Sequence, residues 1–448
     1  DGGVSICGRI DDQGGRFLAR LLDPVDEDAF VVPGKGSGPF DDEGVLTRAR
    51  SVVEASVTRS IGIELPGLAR MAEVTRAISE AASRGPAPAP APMRILTPWV
   101  VPATASSPPL TLTNRAVMAP MATGTADADG LPSIDTRAWY TARARGGVGL
   151  IIVEPTFVAP VQRLGDHRPL VFSNDAGVVR FAAGYAAVHL SLDASSWLGR
   201  SVVRSSNRRT DRYGRGPTGR LLLPRAVVAA VASAGLPVIV RVPCSATLAG
   251  AVAIDEAVSL TAAVVADGAS VIEIAPGPRF DDRRLPLLAG SGEAVLSVQV
   301  GAIAARLAEI GIAVPIVTNG RIASPPGAEA ALAIPGVEAV AIGRALIADA
   351  AWLAKVRAGV EAEIVPCIGC LACFDHRSGG AVGARRIGCV TNGDAGHEAD
   401  ALAGTNSPRR ITVLGSGLPG LEFARIAVSR GHEVTVVPDA NPLGGITG

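Results

Sequence analysis

The sequence contains few aromatic residues, few cysteines and no excess of either charge. Phe, Trp and Tyr make up 4% of the 448 residues, and cysteine occurs six times. Lysine plus arginine equals aspartate plus glutamate, at 42 each, so no net charge favours nucleic acid or an anionic membrane surface. No apolar run is long enough to cross a bilayer, and the first residues lack the pattern of a signal peptide. We therefore expect a cytoplasmic protein that binds neither nucleic acid nor a membrane.

Apolar side chains, in contrast, are abundant. Hydrophobic residues make up 48% of the chain and charged residues 19%, a composition that can bury large cores. The length allows two or three domains. The run PAPAPAP at 86–92 predicts a stiff linker, and Met93 directly after it would make a native start for the region downstream. Before the linker, residues 43–84 have a helical pattern, which we interpret as an interaction domain or the remnant of one.

Downstream of residue 110, short apolar runs alternate with amphipathic stretches of helical period. Apolar strands that alternate with helices predict a parallel sheet covered by helices. About seven or eight such units predict a TIM-type (β/α)8 barrel, in which the chemistry lies at the C-terminal ends of the strands. The predicted strands are 115–119, 149–154, 187–192, 238–242, 271–275, 315–318 and 339–342. The predicted helices include 222–234, 254–267, 293–310 and 325–334.

Four of the six cysteines lie within 23 positions near the C-terminus, in the spacing C-x2-C-x2-C-x15-C. They are Cys367, Cys370, Cys373 and Cys389. Three thiolates in one tight loop fit three corners of a cubane cluster, and a distant fourth thiolate closes it. Zinc sites usually pair their cysteines in two separate C-x2-C knuckles, so zinc and a metal-free segment are the alternatives. We predict a [4Fe–4S] segment over 361–405, in a reducing compartment.

The segment ITVLGSGLPGLEFARIAVSRGHEVTVV (411–437) predicts a strand, a glycine-rich turn, a helix and a second strand. The glycines of its G-x-G-x-x-G motif are Gly415, Gly417 and Gly420. Such glycines allow a tight turn, close backbone approach to a pyrophosphate and close helix packing, and the helix N-terminus supplies partial positive charge. Pro438 occupies the position expected for the ribose-binding acid, and Asp439 follows it as the candidate. We predict that 406–448 begin a Rossmann-type domain.

Both ends of the chain are unusual for a whole protein. Residue 1 is Asp, and the chain stops soon after the Rossmann-type unit begins. We therefore expect a fragment or a processed piece of a longer protein.

Two Gly-Arg pairs follow late strands of the predicted barrel, in NGR (319–321) and IGR (342–344). A dianionic phosphate group needs hydrogen-bond donors and positive charge close to it. Glycine lets backbone N–H groups approach the phosphate, and arginine offers a fork of donors. Loops after the last strands are the usual phosphate site of this barrel. A surface ion pair is the alternative for one such arginine, but two pairs in register favour a phosphate site. Its residues are Gly320, Arg321, Gly343 and Arg344.

Seven segments of the chain follow one another in a recognisable order. They are LTLTNRAVMAPMATG (110–124), RAWYTARARGGVGLIIVEP (137–155), SSNRRTDRYG (205–214), VIVRV (238–242), VTNGRI (317–322), AIGRALIADAAWLAKVRAG (341–359) and CIGCLAC (367–373). In this order they resemble the old yellow enzyme family, and within it the iron–sulfur branch of 2,4-dienoyl-CoA reductase and trimethylamine dehydrogenase.

The resemblance implies an FMN-binding barrel over 93–360, and it assigns the two Gly-Arg pairs to the FMN phosphate. It also places Pro120, Met121 and Ala122 beside the flavin ring and Arg241 near the pyrimidine edge. In the relatives, the C-terminal unit holds FAD or an ADP moiety, and NAD(P)H supplies electrons. Residues 1–92, with the linker, have no role that the resemblance explains.

The side chains that relatives direct at the substrate are absent from the expected positions in this sequence. Relatives end their fourth strand with two histidines, or with a tyrosine, that polarise a carbonyl or deliver a proton. Here Ser191 and Ala194 occupy the histidine positions and Ser196 the tyrosine position. His189 lies two residues before Ser191, so its side chain should point the same way. The catalytic candidates are His189, Tyr140 and Ser196, with a packed, hydrogen-bonded histidine as the alternative for His189.

A larger departure lies between Glu154 and Val188, where the chain has room for one helix only. Relatives fit an additional strand and helix there. We therefore expect a barrel that is one βα unit short.

Three functions fit these patterns. The leading one is an FMN- and [4Fe–4S]-dependent NAD(P)H oxidoreductase that reduces an activated C=C bond of a small molecule, such as an enoyl- or dienoyl-CoA or an enone. The second is an amine dehydrogenase that passes electrons outward to an electron-transfer partner. Such a site usually needs an aromatic cage for the cationic amine, which the low aromatic content disfavours. The third is a catalytically degenerate electron-relay flavoprotein.

Overall fold

The computed structural model describes residues 3–9, 93–157, 170, 185–193, 196–244, 252–276, 292–373, 386–400 and 406–438. These residues belong to two compact units, the first ending at Gly396 and the second beginning at His397. The helical prediction for 43–84 and the predicted linker at 86–92 lie outside the described residues. In the described ranges, no helix combines the length and apolar character needed to span a bilayer.

The strands are numbered in chain order. They are β1 (Gly3–Arg9), β2 (Trp99–Val101), β3 (Leu110–Leu112), β4 (Ala116–Met118), β5 (Leu150–Ile152), β6 (Thr156–Phe157), β7 (Ala187–Ser191), β8 (Val238–Cys244), β9 (Val271–Pro276), β10 (Ile316–Thr318), β11 (Val337–Ile342), β12 (Arg410–Leu414) and β13 (Glu433–Val437).

Seven strands of the first unit form the parallel barrel that the sequence predicts. Hydrogen bonds join β7 to β8, β8 to β9, β9 to β10 and β10 to β11, all in parallel. The sheet then continues with strands from earlier in the chain, because β11 pairs in parallel with β4 and β4 with β5. All seven predicted strands are present, with bounds that differ by a few residues. The fold prediction is therefore confirmed for the barrel.

Helices follow the strands and cover the outside of the barrel. They are α1 (Ile134–Arg145), α2 (Trp197–Val202), α3 (Gly216–Ala232), α4 (Ile254–Ala266), α5 (Ser297–Glu309), α6 (Pro325–Leu332), α7 (Arg344–Ala348) and α8 (Trp352–Ala358). Local sequence explains where several of them begin. The Ser133 side chain accepts hydrogen bonds from the first turn of α1, and Ser324 caps α6, whose first residue is proline.

A strand from the start of the chain lies between β5 and β7, where the sequence predicts that a βα unit is absent. In the described residues, β5 and β7 do not pair with each other; β1 lies between them. It pairs antiparallel with β7, where Val4 faces Leu190, and with β5, where Cys7 faces Ile152. The sequence predicts the shortage but gives no sign that residues 3–9 join this sheet, because nothing in their local pattern specifies a distant partner.

The core has two layers, one on each side of the barrel wall. The larger cluster lies between the strands and the helices and includes Trp139 and Trp352. The second cluster fills the barrel interior, where Ile239, Val271 and Val317 belong to neighbouring strands. The β2–β3 hairpin contributes Trp99 and three aliphatic side chains to this inner cluster. The interior is therefore a packed core, and a cavity can form only at its rim.

The second unit contains a β-α-β arrangement. Strands β12 and β13 are parallel, with Arg410 facing Glu433 and Leu414 facing Val437. Helix α9 (Leu418–Ser429) connects them, and Pro419 lies in its first turn. The order of elements agrees with the strand, turn, helix and strand predicted for 411–437.

Candidate active site

The carboxyl ends of the barrel strands surround a cavity of about 200 Å³. It is lined by residues that follow β4, β10 and β11 and by residues of β8 and β9. Among the predicted flavin residues, those that line it are Pro120, Met121, Arg241, Gly320, Arg321, Gly343 and Arg344. Ala122 is half-buried and is not part of the lining. The fold thus brings together residues that are more than 200 positions apart in the chain.

The loop after β10 has a backbone that favours glycine. Gly320 has a φ of 111°, and a side chain there would place its Cβ only 3.1 Å from Leu296 Cγ. Arg321 also has a positive φ of 59°. A left-handed backbone at a non-glycine residue is uncommon and clusters at ligand sites. The N-G-R sequence therefore forms a tight loop that directs Arg321 to the cavity, as the phosphate prediction requires.

A layer of polar side chains lies directly above the apolar layer of the barrel interior. His189, Arg241, Glu273 and Asn319 each lie two residues beyond a member of the inner cluster, so they share its inward direction. Glu273 is fully buried at the centre of this layer. Its Oε2 lies 2.7 Å from His189 Nε2, and its Oε1 accepts a bond of 2.6 Å from Asn319 Nδ2.

Arg241 connects this layer to the cavity. Its Nη1 donates to Glu273 Oε1 at 3.4 Å, and its Nε lies 3.5 Å from Asp193 Oδ2. Burial by itself would raise the pKa of Glu273, but the charge of Arg241 and the bonds from His189 and Asn319 lower it to about 2. Burial works against the charge of Arg241, yet Glu273 and Asp193 raise its pKa. The pair is ionised across the ordinary pH range.

The cysteine segment lies at the same cavity. Cys367, Cys373 and Ile387 belong to the lining, so the loop 367–373 and the segment 386–396 border the predicted flavin site. Two hydrogen bonds attach the second segment to the barrel unit, from Ile387 N to Thr123 O at 2.8 Å and from Asn392 Nδ2 to Ile347 O at 2.9 Å. The tertiary structure therefore places thiols beside the flavin residues, a proximity that the sequence spacing alone does not define.

The thiols also influence one another. Burial and the neighbouring charge of Cys367 raise the pKa of Cys373 to about 11, while the nearby Arg344 opposes the rise. Burial raises the pKa of Cys370, and Cys389 and Cys367 add to it. Burial is the largest cause of these shifts, so the thiolate forms are disfavoured unless a cation shares their charge. In the described ranges, no group of three or more His, Cys, Asp or Glu side chains is already arranged around a metal position. The four-thiolate cluster stays a prediction.

None of the three catalytic candidates lines the cavity. His189 is fully buried against Glu273, as its hydrogen-bonded alternative predicts. Ser196 caps α2 by accepting from Gly199 N at 2.8 Å, and it donates to Ser191 O at 2.6 Å. Tyr140 is buried, and its hydroxyl accepts from Glu154 N at 2.8 Å. Burial and the adjacent carboxyl of Glu154 raise the pKa of Tyr140. A catalytic role for any of them stays a prediction.

The predicted dinucleotide residues lie in the second unit. Gly415 has a φ of 102°, as its tight turn requires. A Cβ on Gly420 would lie 2.3 Å from Gly415 O, so helix α9 can approach this turn only if residue 420 is glycine. Gly417 is the N-cap of α9. Asp439, the proposed ribose ligand, lies outside the described residues. The geometry agrees with the motif, and the binding of FAD or ADP stays a prediction.

The sequence-based prediction did not include two residues of the polar layer, Glu273 and Asn319. Asn319 is part of the N-G-R segment, in which only the glycine and the arginine were predicted to bind phosphate. Glu273 is an acid inside the apolar strand V-I-E-I-A, and a charged residue in a buried strand is rarely tolerated without partners. That pattern is the signal that could have identified Glu273.

A parallel barrel with arginines and glycines at the carboxyl ends of its late strands fits the class of flavin-dependent oxidoreductases. The family model of the NADH:flavin oxidoreductase / NADH oxidase family matches residues 106–192 and 180–363. The chain therefore belongs to this family, which confirms the resemblance to the old yellow enzymes.

The similar proteins are longer than this chain. A metal reductase from Desulforamulus reducens is 32% identical over 270 residues, which are 59% of this chain and 39% of that protein. A solved structure of 2-naphthoyl-CoA reductase with 2-naphthoyl-CoA superposes with a TM-score of 0.62 at 18% identity, covering 77% of this chain and 64% of that one. Histamine dehydrogenase from Rhizobium sp. 4-9 gives a TM-score of 0.61 at 18% identity, covering 79% and 60%. The chain thus spans less than two thirds of the length of each.

Proposed function

We propose that this chain is the FMN-binding part of an oxidoreductase that reduces an activated C=C bond in a small molecule, with NAD(P)H as electron donor and a [4Fe–4S] cluster as relay. One observation carries the proposal. A single cavity is lined by both arginines of the Gly-Arg pairs, by Arg241, and by Cys367 and Cys373. A site built from flavin ligands and thiolates together suits electron transfer between two redox groups.

The residues present fit FMN. Gly320 lines the cavity without a side chain, so its backbone can approach the phosphate, and Arg321 and Arg344 would supply charge for it. Arg241 also lines the cavity, and its positive charge would stabilise negative charge on the pyrimidine edge of the ring. Bound FMN would supply hydride for the substrate double bond. Pro120 and Met121 would hold the ring in place and exclude water from one side.

The four thiols fit a cluster by donor chemistry. Cys367, Cys370, Cys373 and Cys389 are thiolate donors of the kind that iron–sulfur clusters require, and their mutual effects on pKa indicate that their charges interact. Bound iron would stabilise the thiolate forms and provide one-electron transfer. Arg344, which affects the pKa of Cys373, would lie between the two groups. FAD or an ADP moiety would bind at the glycine-rich turn of the second unit.

The direction of electron flow is proposed from the cavity lining. Among the described residues that line the cavity, none is Phe, Tyr or Trp. A cationic amine is commonly held by aromatic faces, so this lining favours a neutral, electron-poor alkene over an amine. The name of 2-naphthoyl-CoA reductase agrees with a conjugated thioester, whereas that of histamine dehydrogenase does not, and both likenesses show the fold alone.

The first test is the visible spectrum of the anaerobically purified protein, before and after acid release of its chromophores. We expect FMN and about four irons per chain, because a cubane cluster holds four. Anaerobic NADH or NADPH added to the full-length parent protein should bleach the flavin, and an enone or enoyl-CoA should restore its colour. Colourless protein without iron contradicts the redox assignment, and bleaching by a small amine alone supports the amine dehydrogenase.

A pair of cysteine variants separates the cluster from the flavin. The Cys367→Ala/Cys373→Ala variant should lose iron while FMN stays bound through its arginines. Cys244→Ala is the matched control, since Cys244 is a free thiol buried in β8. Retention of all iron by the double variant argues against the four-thiolate assignment.

A further inference from the structure

We propose that Glu273 is a positioning residue of the flavin site, and that it acts by holding Arg241 and Asn319 at the cavity rim. The proposal rests on the proposed binding of FMN in this cavity. It assigns a role to a buried carboxylate that the flavin motifs do not include.

The carboxylate is shared between three donors. Glu273 Oε1 receives Asn319 Nδ2 at 2.6 Å and Arg241 Nη1 at 3.4 Å, while Oε2 faces His189 Nε2 at 2.7 Å. The donors come from three other strands or strand ends, β7, β8 and the loop after β10. Because Glu273 is fully buried, water does not compete for these bonds. The Glu273 side chain therefore fixes the relative positions of residues from four neighbouring strands, β7 to β10.

Two of these partners reach the cavity, and the third does not. Arg241 and Asn319 belong to the cavity lining, whereas His189 is 0% exposed. An arginine has many rotamers, and the bonds that select one rotamer lower the entropy lost when a ligand binds. Glu273 thus prepares Arg241 for its contact with the flavin before FMN arrives. The bond from Asn319 likewise fixes which side of its amide faces Glu273.

His189 supports Glu273 from the opposite side. Its Nε2 faces the carboxylate, and its Nδ1 is buried without a hydrogen-bond partner among the described residues. His189 is not part of the cavity lining, and its contact with this site is made through Glu273. Its place in the network is to keep Oε2 occupied, so that Oε1 remains directed to Arg241 and Asn319. His189 is therefore a second positioning residue, one step further from the flavin.

The test compares Glu273→Gln with Glu338→Gln. Glutamine keeps the shape of glutamate but offers one acceptor oxygen to three donors. Glu338 is the matched control, because it is also a strand glutamate that bonds arginine, here Arg115, but it is remote from the cavity lining. The readout is the FMN fluorescence released on serial dilution of the purified holoprotein. We expect Glu273→Gln to bind FMN about tenfold more weakly, or about 1.4 kcal/mol, and Glu338→Gln to match the wild type.

A second readout distinguishes positioning from folding. Loss of an oriented Arg241 removes positive charge from the pyrimidine edge, so the midpoint potential of bound FMN should fall in Glu273→Gln. Removal of a negative charge without loss of orientation would raise the potential instead. An unchanged or raised potential in a folded variant overturns the proposal. Wild-type protein that binds no FMN overturns the proposed function itself, which keeps the two failures distinct.

A double-mutant cycle tests whether Glu273 acts through Arg241. Arg241→Met combined with Glu273→Gln removes both charges, and a buried pair is often better tolerated when both members are replaced. If Glu273 acts through Arg241, the effect of Glu273→Gln on FMN affinity shrinks from about tenfold to about twofold in the Arg241→Met background. The same loss in both backgrounds overturns the proposal.

Discussion

Two arginines of the barrel mouth, Arg321 after β10 and Arg344 after β11, line the cavity. Two polar residues at β7, by contrast, are buried in the protein interior: His189 within the strand and Ser196 just after it. Both arginines of the first pair border the space that a bound cofactor would occupy. The second pair forms hydrogen bonds with Glu273 and with the backbone at α2. In the proposed function, one side of the barrel mouth therefore holds the cofactor, and the other side stabilises the barrel.

This difference follows the course of the chain around the barrel. Strands β8 to β11 and β4 are parallel and pair in an unbroken order. Strand β7 pairs with the antiparallel β1, at the place where the sequence predicts that a βα unit is absent. The positions where the resemblance implies catalytic histidines or a tyrosine carry Ser191, Ala194 and Ser196 in this chain. The predicted phosphate residues Gly320, Arg321, Gly343 and Arg344, in contrast, all line the cavity.

The largest effect is expected on the cofactor side. Arg321→Ala/Arg344→Ala removes two charge-assisted donors, each worth about 1.5–3 kcal/mol, so FMN affinity should fall roughly 100-fold or more. FMN release on dilution measures the change. Arg306→Ala is the control, because Arg306 lies on α5 and is half-exposed. Equal FMN retention in the double variant and the control would show that the two arginines do not bind FMN. The proposed difference between the two sides of the barrel mouth would then be wrong.

The next effect concerns the polar layer and its dependence on pH. The pKa of Glu273 is lowered from 4.5 to about 2 in the folded protein, so its ionisation stabilises the fold above about pH 4.5. This contribution, on the order of 3 kcal/mol, is lost as the pH falls through the window from about 4.5 to about 2. Arg241, His189, Asn319 and Asp193 are the groups that face this network.

Urea unfolding across that pH window checks this dependence. The stability of the wild type should fall more steeply with acidification than that of Glu273→Gln, which has no carboxyl to protonate. Parallel pH profiles for the two proteins would show that the lowered pKa does not contribute to folding.

A smaller effect is expected from Tyr140→Phe, in α1. The hydroxyl of Tyr140 is the acceptor for the buried Glu154 N–H, and its loss should lower the free energy of unfolding by about 1–3 kcal/mol. Enone-driven reoxidation of the reduced flavin should keep its rate. A rate loss of more than about tenfold with unchanged stability would instead make Tyr140 a proton donor.

The smallest effect is expected from Ser196→Ala. The variant loses the cap of α2, which should cost about 1 kcal/mol of stability. Thermal unfolding measures the cost, and Ser201→Ala is the control, since the Ser201 hydroxyl bonds only one carbonyl within the same helix. A defect in reoxidation that exceeds the stability loss would return Ser196 to the catalytic candidates.

The parts that the sequence predicted share one property: their signal is local. Short apolar runs and helical stretches depend on neighbouring residues, and the seven predicted strands are present. The Gly-Arg pairs were found for the same reason, because a glycine and an arginine after a strand suffice to suggest a phosphate site. The network around Glu273 could not be derived this way, since its members are separated by up to 130 positions.

The sequence alone determined the class of this protein, because the order of its motifs and the alternation of strands and helices are written along the chain. It also determined which residue types are available for a phosphate and for iron. Only the tertiary structure decided that Cys367 and Cys373 share a cavity with the flavin arginines, that His189 turns to Glu273, and that β1 fills the gap beside β7. The physical reason is that hydrogen bonds and burial depend on distance in space, which barrel closure sets between residues that the sequence keeps far apart.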